Sequence, residues 1–216
     1  MSTFIIHSYE ELWSFLKNPK EHRDQKSSLT NKLKTCWAIY LIQLPLLMIL
    51  MAILSGLESL GLWEEDMHAM EQLFKEMDTP RIFFLTVLIA PLFKESLFRL
   101  IIRFKRNFFI TGYLTIMTHV QSTTNFARLK KYKKYWDGYY PWIFYSSAVL
   151  FGLMHIMNFE PSLTIYLLTP IIVAPQILIG LNLGYIRIKF GLIWSMIFHS
   201  FYNGTLMIIA LLSGEL

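Results

Sequence analysis

The sequence predicts an all-α fold, a polytopic bundle of transmembrane helices with about five to seven membrane segments. Three observations predict it. Of 216 residues, 54% are hydrophobic and 16% charged, whereas soluble domains carry about 45–50% and about 25%. Six Trp, eleven Tyr and seventeen Phe supply the rings that gather at membrane interfaces. The apolar residues also fall in runs near the roughly 20 helical residues that a hydrocarbon core requires. Strands are not expected, because only helices and closed barrels satisfy their backbone groups in lipid.

Residues 1–34 read as a polar cytoplasmic segment and 35–216 as the membrane domain. The first 34 residues hold Glu10, Glu11, Lys17, Lys20, Arg23, Lys26, Lys32 and Lys34 and lack the early apolar stretch of a cleavable signal. The first hydrophobic span, 36–54, therefore directs insertion itself. After it, residues 58–80 carry seven acidic groups and only Lys75 before Arg81. Near absence of Lys and Arg marks an outer loop, and Met67–Met77 within it is a candidate interfacial helix.

A second span runs from Arg81 to Ile102 and ends in Arg99, Arg103, Lys105 and Arg106, a cytoplasmic signature. Residues 107–120 are flanked by basic residues on both sides, as Arg128, Lys130, Lys131, Lys133 and Lys134 follow. One crossing would break the charge rule. The segment reads as re-entrant, interfacial or an extension of the previous helix, and 128–134 as a cytoplasmic loop. Spans at 141–159, 163–186 and 191–213 complete the chain, with Arg187 and Lys189 in a cytoplasmic turn. Gly180 and Gly184 form a small-xxx-small pair suited to close helix packing. The single cysteine, Cys36, excludes an intrachain disulfide and a multi-cysteine metal site. The net charge of +5 belongs to the loops and is no nucleic-acid signal.

Several polar residues sit where lipid would penalise them. Glu95 and Arg99 lie one turn apart in the second span. His155 lies one turn from Phe151, and His199 one turn from Asn203. A charge near the bilayer centre costs roughly 2.5–3.5 kcal/mol on insertion scales, so such groups face the bundle interior and mark functional sites. Singly, each has a plain reading as a packing histidine, a self-neutralising ion pair or a snorkelling arginine. Together, on three helices, they permit general-base activation of water and donors for an oxyanion. Glu95, His155 and His199 could also hold a divalent metal such as zinc.

Three segments carry a family resemblance: Lys94-Glu95-x-x-x-Arg99, Phe151-x-x-x-His155 and His199-x-x-x-Asn203. They resemble the ordered motifs of the CAAX-protease and bacteriocin-processing (CPBP) family, with a core over about residues 80–213. The resemblance implies an intramembrane endopeptidase, metallo- or glutamic, acting on membrane-associated peptides or proteins in a bacterial cytoplasmic membrane. In the family the first glutamate of the opening pair is the water-activating base, the position of Lys94 here, so Glu95 is the candidate base, with Arg99 as its orienting partner, His155 as partner or ligand, and His199 with Asn203 as oxyanion donors or ligands. The implied partners are membrane lipids and a peptide substrate.

One departure matters: where the family pattern begins Glu-Glu, this chain has Lys94-Glu95. An ammonium cannot act as that carboxylate, and it would pair with Glu95 or repel a metal. The alternative to an endopeptidase is thus a catalytically degenerate member serving bacteriocin immunity or as a membrane scaffold. A small transporter is a third class, disfavoured by the absence of inverted repeats.

The charge asymmetry makes a topological prediction. On a Cys36→Ala background, Lys131→Cys should be labelled only from the cytoplasmic side and Glu58→Cys only from outside. Labelling of position 131 from outside would reverse the assignment.

Overall fold

A computed structural model describes residues 2–22, 27–62, 77–120 and 126–213. Its helices are α1 (Ser2–Lys17), α2 (Leu29–Ser59), α3 (Thr79–Phe83), α4 (Ala90–Leu100), α5 (Phe108–Val120), α6 (Phe126–Leu153), α7 (Leu163–Ile172), α8 (Ala174–Lys189) and α9 (Leu192–Ser213). The all-α expectation holds. The candidate interfacial helix in the outer loop falls largely on residues 63–76, outside the described residues.

Among the described residues, three helices are long and apolar enough to cross a membrane: Leu29–Ser59, Leu129–Asn158 and Leu192–Leu212. Leu163–Ile172 and Ala174–Lys189, bent by 40°, form a fourth as a pair. The sequence reads 163–186 as one span. The structure breaks it at Val173, because Pro175 lacks a backbone N–H and suits the first turn of a new helix.

The expected loop at 128–134 is instead the opening of α6. Its residues are good helix formers, and Lys133 reaches Asp137 one turn on at 2.5 Å. At 1.5 Å per residue, 28 residues span about 42 Å, more than a core of about 30 Å. The lysines therefore ride on turns that extend past the apolar part of the helix.

The segment from Thr79 to Leu100 is helical throughout, with a π turn at Phe84–Ile89 between α3 and α4. In this turn the Ala90 N–H bonds the Leu85 carbonyl, which leaves the Thr86 carbonyl without its usual α-helical donor. The next possible donor position is Pro91, which has no N–H. The Asn203 amide fills the vacancy, its Nδ2 2.7 Å from the Thr86 oxygen. A π turn of this kind often marks a functional position.

α6 and α8 make the most extensive helix pairing. A Cβ at Gly180 would stand 3.1 Å from the Ala148 carbonyl oxygen, and one at Gly184 would stand 2.7 Å from the Phe144 ring. The small-xxx-small pair thus lets two backbones approach. The central core gathers Ile39 and Tyr40 of α2, Phe98 of α4, Phe151 of α6, Leu183 and Ile186 of α8, and Tyr202 of α9. A polar tie crosses it: the Gln43 Oε1 accepts hydrogen bonds from Asn182 and from the Tyr202 hydroxyl.

Gly184→Val should therefore lower stability by about 1–3 kcal/mol, the usual cost of overpacking. Gly112→Ala, where a Cβ meets nothing within 4 Å, should be neutral or mildly stabilising. Thermal unfolding in detergent measures both, and equal effects would contradict the close approach of α6 and α8.

Candidate active site

The polar residues singled out by sequence come from three places. Lys94, Glu95 and Arg99 lie on α4. His155 lies in a 3-10 turn, Met154–Asn158, that closes α6. His199 and Asn203 lie on α9. The ring of Phe151 is a common wall for three of them. Its centroid is 5.2 Å from that of His155 and 5.5 Å from that of His199, with the Arg99 guanidinium carbon 4.9 Å away.

An inner layer is sealed. Glu95 and Arg99 are each 0% exposed and His199 3%. Arg99 Nε donates to Glu95 Oε2 at 3.3 Å, and His199 Nδ1 lies 3.1 Å from Glu95 Oε1. A carboxylate only accepts, so His199 carries its proton on Nδ1. Ser195, also buried, lies against the same carboxylate. Both oxygens of Glu95 are thus engaged.

Arg99 is held further by Ser147, whose hydroxyl accepts from Nη1 at 3.0 Å and donates to the Phe98 carbonyl at 2.8 Å. Arg187 of α8 donates to the Arg99 carbonyl at 3.0 Å. The last carbonyls of a helix lack intrahelical donors, and lipid supplies none. Side chains from α6 and α8 therefore close the end of α4 while fixing its arginine. Ser147 had no sequence signal beyond being polar in an apolar stretch, and Arg187, read from the sequence as part of a cytoplasmic turn, is instead buried in the last turn of α8.

An outer layer is half-buried and consists of Lys94, His155 and Asn203. Lys94 Nζ lies 3.0 Å from His155 Nε2, and His155 Nδ1 lies 2.9 Å from the Phe151 carbonyl oxygen. The carbonyl fixes the proton on Nδ1, so Nε2 offers a lone pair and Lys94 donates to it. The Lys94 amino group thus pairs with His155, not with the adjacent Glu95. Residues 94 and 95 point about 100° apart on the helix, which puts them in different layers. Asn203 stands apart from these contacts, bonded to Thr86.

The expected metal set fits poorly. Among the described residues no three His, Cys, Asp or Glu side chains form a metal-holding group. Two of the three donors named from sequence are engaged: Glu95 by Arg99 and His199, and His155 Nε2 by Lys94.

A family model described as type II CAAX prenyl endopeptidase Rce1-like matches residues 77–205. The chain belongs to this Rce1-like family. The match begins just before α3, takes in all three polar segments, and leaves α1 and α2 outside. Rce1-like proteins are CAAX-type intramembrane proteases, so this chain is an integral membrane protein of a proteolytic family. Comparison with curated proteins and with solved structures found no match.

The geometry predicts a structural role for Ser147. Ser147→Ala would leave the buried Arg99 Nη1 and the Phe98 carbonyl without this partner, costing about 1–3 kcal/mol. Thermal unfolding of the purified variant measures it, and an unchanged melting temperature would contradict the hydrogen-bond assignment.

Proposed function

We propose that the chain is an endopeptidase that cuts membrane-associated peptide substrates, with Lys94 standing in for the family's water-activating carboxylate. The observation that carries this reading is the Lys94–His155 pair, the accessible basic group of the site, against a Glu95 that is sealed and fully engaged. Lysine serves as a general base where it is held neutral. The location that goes with this reading is a bacterial cytoplasmic membrane, a proposal supported by the bacteriocin-processing side of the resemblance.

In this mechanism neutral Lys94 donates one N–H to His155 Nε2 and turns its lone pair to a water molecule. It takes a proton as the water oxygen bonds to the scissile carbonyl carbon, and the carbonyl electron pair moves to oxygen. The second N–H of Asn203, beyond the one bonded to Thr86, is a donor for that oxyanion. Lys94 then passes its proton to the leaving nitrogen as the C–N bond breaks. Glu95 and Arg99 act as positioning residues that hold His199 and the end of α4.

A second reading has its own support. A protonated Lys94 on His155 leaves the site without a base, and the chain then binds a membrane peptide without cutting it, as an immunity or scaffold protein.

One assay separates the two readings: cleavage of a prenylated CAAX peptide by the purified protein in liposomes. The leading reading predicts cleavage by wild type and a fall of about 10²–10⁴-fold in Lys94→Met, the range for losing a general base. An inert wild type that gains activity in Lys94→Glu would overturn it and establish the second reading. Cleavage undiminished in Lys94→Met would reject the assignment of Lys94.

A further inference from the structure

At the basic end of the bundle, a cavity of about 470 Å³ opens between α1 and the last turn of α8. It lies outside the polar site and is formed in part by α1, which the family match does not cover. Its floor is apolar, from Phe15 and Ile188, and its wall holds the Lys189–Glu11 ion pair with the Tyr185 hydroxyl. That pair neutralises itself. The rim adds Ser14, Asn18, Lys20 and His22, all exposed. These four supply hydroxyl, amide, ammonium and imidazole donors with no opposing carboxylate beyond the one already paired.

α1 itself has two apolar faces. Leu12, Phe15 and Leu16 pack into the protein. Ile6, Tyr9 and Trp13, at i, i+3 and i+7, are left outside at 57%, 47% and 49% exposure. Tyr9 and Trp13 stack with centroids 6.4 Å apart, and Lys17 Nζ stands 5.4 Å from the Trp13 ring. An exposed Ile-Tyr-Trp stripe with lysine at its end is the pattern of a helix lying in the membrane interface, rings at headgroup depth. With α1 lying so, the donor-rich rim would open at the depth of lipid phosphates.

We propose that this cavity binds the phosphate of an anionic phospholipid headgroup, with α1 as its interfacial wall. Asn18, Lys20 and Ser14 would reach the phosphate oxygens, and Phe15 with Ile188 would line the first carbons below. The proposal is independent of the peptide reading, because none of these residues belongs to the Lys94 site.

The test uses the full chain in detergent. Native mass spectrometry counts bound phosphatidylglycerol against phosphatidylcholine, with inorganic phosphate as a separate arm. Wild type should retain phosphatidylglycerol over phosphatidylcholine, and Asn18→Ala with Lys20→Ala should lose about fivefold or more of that retention. Both positions are exposed, so the melting temperature in phosphatidylcholine should not move. Lys105→Ala, an exposed lysine elsewhere, should leave retention unchanged. Equal retention of the two lipids, or full retention by the double variant, would overturn the proposal. Protection by inorganic phosphate without lipid retention would make this a free-phosphate site and overturn the lipid assignment.

Discussion

Glu95 and Arg99 sit one turn apart on α4, both wholly removed from solvent, in a protein whose surroundings include hydrocarbon. Taking two such charges out of water costs several kcal/mol each, and their attraction offsets this only with good geometry and further hydrogen bonds. The rest of the bundle supplies those bonds. α9 contributes His199 to the carboxylate, α6 contributes Ser147 and the face of Phe151 to the guanidinium, and α8 caps the Arg99 carbonyl with Arg187. Four helices are thereby set in register by one ion pair. Removing either member would leave its partner buried and uncompensated.

The same pair explains how the neighbouring position accommodates a lysine. Residue 94 faces the half-buried side of α4, where its amino group finds an imidazole acceptor, while residue 95 faces the sealed side, where a carboxylate satisfies Arg99 and His199 together. A change of charge at 94 leaves the Glu95–Arg99–His199 frame without a direct contact to lose. In the proposed mechanism, framework and chemistry are thus carried by adjacent residues on different faces of one helix.

Much of this was legible in the sequence. The i, i+4 spacing of Glu95 and Arg99 put them on one face, and polar groups inside apolar runs pointed to the interior. Gly180 and Gly184 announced a close helix contact. What escaped was whatever depends on tertiary partners. Ser147 looks like any small polar residue in a span until Arg99 arrives beside it. The π turn follows from Pro91 removing a donor and Asn203 supplying one, residues more than a hundred positions apart. The early turns of α6 read as a loop because their lysines masked ordinary helix propensity. The partner of Lys94 was misjudged for a geometric reason, since sequence adjacency to Glu95 suggested contact where the helix turns the two apart.

The claim on which the architecture rests is that Glu95 and Arg99 act as one buried unit. A double-mutant cycle on thermal or denaturant unfolding tests it most directly, using Glu95→Gln, Arg99→Met and the combination. Each single change should cost about 3–5 kcal/mol by stranding its partner, and the double variant should cost clearly less than their sum, with a coupling of about 1–3 kcal/mol. Strictly additive losses would mean that the two side chains do not share a buried environment, and would contradict the site as described.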